Sequence, residues 1–247
     1  MLTVDEPRRG LTVRDLDDPE LQRQAVDLYR RVFGAPDRTG LELNTRLLSA
    51  VLRNGGTALG VVDGDSLVGL AVGFCGMSGG RVYHYSQTAA VAPELRGRGV
   101  GRLIKLAQAD AARAAGATRM RWSFDPASAR NAHFNLDVLG ATGRWYVDDF
   151  YHRPGTDRVV VDWDLERTGP PPAAPPAPPV QDPAVGAWSA GPHTGVLVVP
   201  TADEVTEHDR MRIRAGFRAL LGRGLLARSC RRISDDRAVY TFAGDLP

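Results

Sequence analysis

One glycine-rich turn constrains the fold of this chain more than any other feature of its sequence. A strand-like run ends at residues 91–93, and Arg-Gly-Arg-Gly-Val-Gly at 96–101 then leads into a helix-like run. Glycines at a strand-to-helix turn let backbone amides approach an anion, and the helix N-terminus adds a partial positive charge. The turn therefore predicts either a pyrophosphate-binding loop or a tight connection that needs positive φ angles.

Two common phosphate-binding motifs do not fit this turn. The P-loop requires Gly-x-x-x-x-Gly-Lys-Ser/Thr, and the chain contains no such string. The dinucleotide fingerprint Gly-x-Gly-x-x-Gly follows the first strand of its fold. Here glycine occupies every second position of 97–101, and the turn follows a predicted meander of strands. The sequence therefore favours neither a P-loop nor a dinucleotide-binding fold.

Hydrophobic periodicity predicts an α/β fold with a mixed, mostly antiparallel sheet flanked by helices. Asp-Gly-Asp at 63–65 is a hairpin signal between two strands. The strands predicted before the proline-rich segment are 11–16, 57–62, 66–75, 81–91, 119–124, 144–151 and 158–165, and the helices are 19–33, 41–53, 99–115 and 128–139.

A segment rich in proline and alanine at 170–183 divides the chain. Proline fixes φ and removes a backbone donor, so we predict a semi-rigid linker, with a PxxP ligand for a partner domain as the alternative. The linker separates a first domain at 1–169 from a small extension at 184–247. The extension has a β-α-β-β pattern and is predicted to pack on the first domain, where it closes a pocket, contacts a second copy in a homodimer, or adds stability. Its predicted elements are strands at 196–199, 225–233 and 238–242 and a helix at 204–222.

Charge and composition argue against several classes of function. The 31 basic and 29 acidic side chains give a net charge of +2, which argues against nucleic acid as a partner. No apolar run approaches the ~20 residues that cross a bilayer, and residues 1–10 contain no apolar signal segment. Cys75 and Cys230 lack metal-ligand spacing. We therefore predict a cytoplasmic protein without a membrane span, a disulfide or a metal. All basic residues except Lys105 are arginines, and we attribute this bias to codon usage.

The glycine turn resembles the acyl-CoA pyrophosphate loop of the GNAT superfamily of N-acyltransferases, whose pattern is Gln/Arg-x-x-Gly-x-Gly/Ala. Arg96, Gly99 and Gly101 fill these slots, with Val91 and Pro93 at the usual upstream positions. Downstream, the segment 125–141 is similar to the helix that ends in Leu-Gly-Phe or Leu-Gly-Ala in this superfamily. The resemblance covers about residues 11–165 and implies a GNAT-like fold.

Further motifs resemble a little-characterised branch of the superfamily. These are Lys105 with Gln108, Trp-Ser-Phe-Asp-Pro at 122–126, Asn-Ala-His-Phe-Asn at 131–135 and Thr-Asp-Arg at 156–158. Relatives in this branch are thought to acylate amino acids with acetyl-CoA or succinyl-CoA. The residues that the resemblance implies for acyl-CoA binding are Ala89, Val91, Arg96, Gly97, Arg98, Gly99, Val100, Gly101, Arg102 and Asn131.

The catalytic residues are expected on the strand before the turn. The resemblance places the oxyanion donor on a backbone amide near a bulge around 89–91, with a base two or four residues upstream on the same face. Those positions are Gln87 and Tyr85, which lack the basicity of a histidine or an acid. His84 has the opposite parity and points away unless a bulge redirects it. The alternative is that these strand residues only pack against their neighbours.

The general acid of the superfamily is a tyrosine four residues before the glycine that corresponds to Gly140, and this chain has Leu136 there. Asn135, His133, Tyr146 or solvent would have to protonate the leaving thiolate. Asn131 and Asn135 are one helical turn apart and are predicted to share a face. They then either bind the pantetheine or the acceptor, or make local bonds in the helix. Asn135 and His133 are our candidates for acceptor binding.

The resemblance implies transfer of an acetyl group, or another short acyl group such as succinyl, from acyl-CoA to the amine of a small molecule. The alternative is a catalytically silent module of the same fold that binds acyl-CoA or acts through protein contacts. The residues at positions 85, 87 and 136 motivate this alternative.

Overall fold

The structure is a computed structural model that describes residues 10–34, 43–167, 169, 176, 179–180, 183–202 and 204–244. The chain divides into two compact units, residues 1–120 and 121–247. Most of the predicted linker at 170–183 and the first two residues of the helix predicted at 41–53 lie outside the described residues.

The first unit contains four antiparallel strands that follow the order of the chain. The turn between the second and third strands contains Gly64 at a φ of +59°, which agrees with the hairpin prediction. The strands are β1 (Leu11–Asp15), β2 (Thr57–Asp63), β3 (Ser66–Ser78) and β4 (Arg81–Val91).

Three helices pack against these strands, namely α1 (Pro19–Phe33), α2 (Thr45–Arg53) and α3 (Val100–Ala114). The Asp18 carboxylate accepts hydrogen bonds from the Glu20 and Leu21 amides and so caps α1. Asn44 caps α2 through the Leu47 amide. Apolar residues of all three helices and of β2–β4 form one buried core.

The second unit has a longer sheet that includes the C-terminal segment. Its strands lie in the order β5-β7-β6-β10-β11-β9-β8, and β10 joins β6 through the pair Ala227 and Gly143. The strands are β5 (Arg119–Phe124), which crosses the division between the units, β6 (Thr142–Val147), β7 (Arg158–Asp164), β8 (Trp188–Ala190), β9 (Thr194–Pro200), β10 (Leu226–Arg232) and β11 (Arg237–Ala243).

Two helices belong to the second unit, α4 (Ala129–His133) and α5 (Glu207–Leu221). A π-helical turn at Phe134–Val138 continues α4, and the Leu139 amide donates to the Phe134 carbonyl. The wider turn replaces the second half of the helix predicted at 128–139.

The mixed, mostly antiparallel α/β architecture with flanking helices confirms the predicted fold class. The predicted bounds of α1, β4 and β5 are identical to the observed ones. The C-terminal segment contains the predicted β-α-β-β pattern as β9-α5-β10-β11 and adds β8 before it, which the sequence did not predict because three residues are too few to show alternation. The strand predicted at 144–151 ends at Val147, because hydrogen bonds of Asp149 and Asp157 form a loop there. The predicted domain boundaries stay a prediction.

No helix within the described residues combines the length and the apolar character that a membrane span requires.

Candidate active site

The glycine turn positions an open helix N-terminus directly after β4. Gly97 and Gly99 have φ angles of +74° and +82°, which are strained for residues with a Cβ atom. Gly99 is the N-cap of α3, and no side chain caps the helix. The first intrahelical bond runs from the Leu103 amide to the Gly99 carbonyl. The amides of residues 100–102 therefore precede the hydrogen-bonded turns and suit an anionic ligand.

The arginines of the turn surround this helix end. Arg96, Arg98 and Arg102 are exposed, whereas Val100 is buried and packs against β3 at Gly69. A Cβ atom on Gly69 would lie 3.0 Å from Val100 Cγ1. Val100 therefore fixes the start of α3 on the sheet, while the polar part of the turn faces outward.

A bulge in β4 determines which side chains share a face of the sheet. Val72 pairs with Thr88, but Gly73 pairs with Ser86, so Gln87 is an extra residue in β4. Directly paired residues project to the same face, and faces alternate along β3. The face covered by α3 therefore carries, on β4, the partners of residues 69, 71, 73 and 75 of β3, which are Val91, Ala89, Ser86 and His84.

This register corrects the predicted alternation through Tyr85, Gln87 and Ala89. Tyr85 pairs with Phe74, and the centroids of these two rings are 5.6 Å apart. Tyr85 therefore lies on the opposite face of the sheet from Ala89. Gln87 is exposed at the bulge. His84 and Ser86, which simple parity directs away, instead share the α3 face with Ala89 and Val91. The extra residue reverses the parity of every side chain before it.

Five buried polar side chains form a cluster between α3 and the sheet of the first unit. Lys105 Nζ donates to Ser86 Oγ at 2.7 Å, and Gln108 Nε2 donates to Thr57 Oγ1 at 3.1 Å. Thr57 Oγ1 is also 3.1 Å from His84 Nε2. All five residues are at most 9% exposed, and Gln108 Oε1 is buried without a hydrogen-bond partner among the described residues.

Gly73 makes room for this polar cluster. A Cβ atom at position 73 would lie 2.4 Å from His84 Nε2 and 2.9 Å from Gln108 Nε2. Both distances are too short for any side chain. The absence of a side chain in β3 therefore allows the imidazole and the amide to lie directly against the sheet.

Burial shifts the ionisation of both basic groups in the cluster. It lowers the pKa of Lys105 to about 7. Burial, and to a smaller extent the charge of Lys105, lowers the pKa of His84 to about 4. At neutral pH the imidazole is therefore neutral, and the amine exchanges its proton readily. The occurrence of one lysine in an arginine-rich chain is the sequence signal for this cluster, and codon usage does not account for the burial of that lysine.

The residues predicted on the helix of the second unit do not share one environment. Asn131 is exposed, whereas Asn135 is buried and its Oδ1 accepts a hydrogen bond from Trp122 Nε1 at 3.0 Å. The two asparagines therefore differ in burial, and the prediction that they share a face stays a prediction. Leu136, in the slot of the superfamily tyrosine, is buried.

His133 is held beside a buried carboxylate. Its Nδ1 lies 3.0 Å from the Cys230 carbonyl and 3.3 Å from Asp137 Oδ2, while half of its side chain is exposed. The hydrogen bond with Asp137 raises the pKa of His133. Burial opposes the ionisation of Asp137, but hydrogen bonds from His133, Cys230, Ser229 and Arg231 outweigh it and lower its pKa to about 2.

Tyr146 is bound to a buried carboxylate of the loop that follows β6. Its hydroxyl donates to Asp157 Oδ2 at 2.5 Å, and Arg214 of α5 binds Asp157 and Asp149. Burial and the Asp157 carboxylate raise the pKa of Tyr146. Tyr146 is therefore a weaker acid than a free tyrosine, which disfavours it as the proton donor. The Thr-Asp-Arg motif supplies the carboxylate of this network.

The described residues contain no group of three or more His, Cys, Asp or Glu side chains that could hold a metal ion.

Solved structures with the same fold are GNAT proteins. The structure of yncA from Salmonella typhimurium with its cofactor acetyl-CoA has a TM-score of 0.51 and 20% identity, and the match covers 67% of this chain and 100% of that one. The ribosomal-protein-S18-alanine N-acetyltransferase of Escherichia coli has a TM-score of 0.51 and 12% identity, covering 64% and 96%. Arabidopsis thaliana Naa50, in complex with the bisubstrate analogue CoA-Ac-MVNAL, has a TM-score of 0.50 and 15% identity, covering 62% and 97%.

The strand, the glycine turn and the helix of the first unit lie in the part of the chain that a family model matches. The family model of the acetyltransferase (GNAT) domain matches residues 4–125. The chain therefore carries a domain of the GNAT acetyltransferase family, which confirms the predicted superfamily. A comparison with curated proteins finds no match.

Proposed function

We propose that this protein transfers an acetyl group, or another short acyl group such as succinyl, from acyl-CoA to the amine of a small molecule such as an amino acid or a biosynthetic intermediate. The observation that carries the proposal is the uncapped N-terminus of α3, which follows β4 through two glycines with positive φ. Family membership supplies the reaction type, since the neighbouring structures include proteins named as N-acetyltransferases or solved with acetyl-CoA.

The residues of the turn fit the pyrophosphate of an acyl-CoA. The amides of residues 100–102 supply donors, and the exposed arginines supply positive charge. The bound acyl-CoA supplies a thioester carbonyl that is open to attack by an amine. We propose that these residues hold it, together with the backbone of Ala89 and Val91 and, as the resemblance implies, Asn131; the full set at the turn is Arg96, Gly97, Arg98, Gly99, Val100, Gly101 and Arg102.

We propose different roles for the two strand residues that lie on either side of Ser86. Gln87 projects from the bulge and holds a water that receives a proton. Tyr85 lies on the face of Phe74 and positions the acceptor. We expect Gln87→Ala and Tyr85→Phe to lower turnover by roughly 10- to 1000-fold with acyl-CoA affinity nearly intact. His133 and Asn135 stay our proposed acceptor contacts in the second unit.

Thiol release tests this function directly. We expect the purified protein to release CoA from acetyl-CoA or succinyl-CoA in the presence of at least one amine of a panel of amino acids, polyamines and short peptides. Peptides belong in the panel because the Escherichia coli neighbour is named for an alanine of a ribosomal protein. Transfer to peptides alone would contradict a small-molecule acceptor.

The alternative is a silent module of the GNAT fold, and specific residues favour it. Tyr85 and Gln87 are poor bases, and Leu136 replaces the tyrosine of the superfamily. Binding of CoA without turnover on any amine would support this alternative. A cytoplasmic location, a homodimer and the absence of nucleic acid as a partner stay predictions.

A further inference from the structure

Lys105 is a chemical exception in this chain. It is the one lysine among 31 basic residues, and it is 4% exposed on the face of α3 that packs against the sheet. An arginine would remain charged at this position, whereas a buried lysine can lose its proton near neutral pH. The one lysine therefore lies at a buried position, where its amine can lose the positive charge that an arginine would keep.

Ser86 links this amine to the strand that carries the reaction in our proposed function. Its hydroxyl accepts from Lys105 Nζ at 2.7 Å, and it shares the α3 face with Ala89 and Val91. Ser86 directly precedes Gln87, the extra residue of the bulge, where the ladder of backbone hydrogen bonds is interrupted. The pair is thus buried directly beside the bulge of β4.

We infer that Ser86 and Lys105 form an internal proton acceptor for the acyl transfer, an inference that rests on the proposed function. The acceptor amine gives a proton to Ser86 Oγ, directly or through a water at Gln87, while the Ser86 hydroxyl proton moves to the neutral amine of Lys105. The new C–N bond forms as the C–S bond breaks, and the thiolate leaves with the electron pair. Lys105 returns the proton by the same route, so the net transfer is one proton from nitrogen to sulfur.

The surroundings of Lys105 suit this role. His84, on the same face of β4, stays neutral because burial lowers its pKa to about 4, so it does not compete for the proton. Cys75 pairs with His84 from β3 and is exposed. Thr57 of β2 and Gln108 of α3 are polar but do not titrate. The buried environment lowers the pKa of Lys105 to about 7, which matches a proton acceptor that works at neutral pH.

The single lysine makes the proton acceptor directly observable. In protein labelled with ¹⁵N- and ¹³C-lysine, Lys105 gives the only lysine side-chain signal, so its titration can be followed without assignment. We expect a midpoint near pH 7 in the folded protein. A midpoint near that of an exposed lysine would overturn the inference, whether or not an acceptor has been found.

Kinetics then separate a proton acceptor from a structural pair. We expect kcat/KM of the wild type to rise through about pH 7, and Lys105→Met to lower it about 100-fold and to abolish this inflection. Ser86→Ala should have the same effect, and Ser86→Thr, which keeps the hydroxyl, should restore most of the activity. Acetyl-CoA affinity should stay unchanged in all three. Arg113→Met, which replaces an exposed cation of α3, is the control with wild-type kinetics.

The outcomes distinguish the inference from the proposed function. Absence of turnover in the wild type with every amine rejects both. Turnover in the wild type that persists in Lys105→Met with an unchanged pH profile rejects the proton acceptor alone. If Lys105→Met does not fold, the comparison of Ser86→Ala with Ser86→Thr and the lysine titration give the same decision.

Discussion

Burial of Lys105 in the first unit disfavours the charged form of its amine. Its amine has a pKa of about 7 in the folded protein, compared with 10.5 for an ordinary lysine. Between these values the unfolded chain binds more protons than the folded one, so the free energy of unfolding rises with pH. The destabilisation is complete below about pH 7 and is lost as the pH approaches 10.5.

We therefore predict that Lys105→Met removes a pH dependence of stability. The wild type should gain about 2 kcal/mol between about pH 7 and pH 9 from this residue alone, and the methionine variant should lack that gain. Urea denaturation at both pH values measures the difference. Arg113→Met, on the exposed face of the same helix, should keep the wild-type slope. Equal slopes in the wild type and Lys105→Met would show that the amine stays charged in the fold.

A substitution of Gly99 distinguishes a turn that binds a ligand from a turn that only connects β4 to α3. Its φ of +82° costs other residues about 1–2 kcal/mol, and Gly64 in the β2–β3 turn has a φ of +59° with equally open surroundings. We predict that Gly99→Ala and Gly64→Ala lose similar stability, but that Gly99→Ala alone weakens acetyl-CoA binding, by about 10-fold or more. Calorimetry measures the affinity. Unchanged affinity in Gly99→Ala would leave the turn with only a conformational role.

At the scale of elements, α5 stabilises the loop after β6 through a buried ion pair. Arg214 binds Asp157, which is 5% exposed, and also reaches Asp149, whose φ is +43°. Burial opposes the ionisation of Asp157, but Arg214 and the other donors lower its pKa. The resulting stabilisation is present above the unfolded pKa of about 4 and is lost as the pH falls through the folded value.

Two arginines one turn apart on α5 allow a matched test. Removing Arg214 leaves a buried carboxylate without its cation, so Arg214→Ala should lower the free energy of unfolding by about 3–5 kcal/mol at neutral pH. Arg218 is 60% exposed and pairs with Asp148, so Arg218→Ala should cost less than about 1 kcal/mol. Chemical denaturation measures both. Similar losses in the two variants would mean that the buried network adds nothing beyond a surface pair.

At the scale of the whole molecule, the C-terminal segment is part of the second unit rather than an appendage of it. The Ala227–Gly143 pair extends the sheet from β6 into β10, and α5 supplies Arg214 to the loop after β6. Removal of the segment would leave β6 paired with β7 alone and Asp157 without its cation.

We predict that a chain ending at Gly169 is insoluble or unfolds without a cooperative transition. Circular dichroism and thermal denaturation of the truncated chain measure this. A full-length variant in which Gly and Ser replace residues 171–178 tests the linker prediction, and its melting temperature should equal that of the wild type. A truncated chain with the wild-type melting temperature would show that residues 1–169 fold by themselves.

Local patterns were sufficient to predict much of the first unit. The bounds of α1 and β4 follow from apolar periodicity, a capping aspartate and turn residues, all of which act over a few positions. The glycine turn is also a local signal, because residues with a Cβ atom rarely adopt its positive φ angles. The sequence by itself therefore determined the class of fold and the position of the glycine turn.

Only the tertiary structure decided which side chains of β4 share the face that α3 covers. The extra residue Gln87 reverses the parity of β4, and whether a strand bulges depends on its pairing with β3 rather than on its own residues. The burial of Lys105 against Ser86 likewise depends on how α3 packs on the sheet. A one-residue change of register moves every side chain to the other face. Long-range pairing, and not local propensity, therefore placed Ser86 and His84 on the same face as Ala89. The sequence pattern predicted Tyr85 and Gln87 on that face.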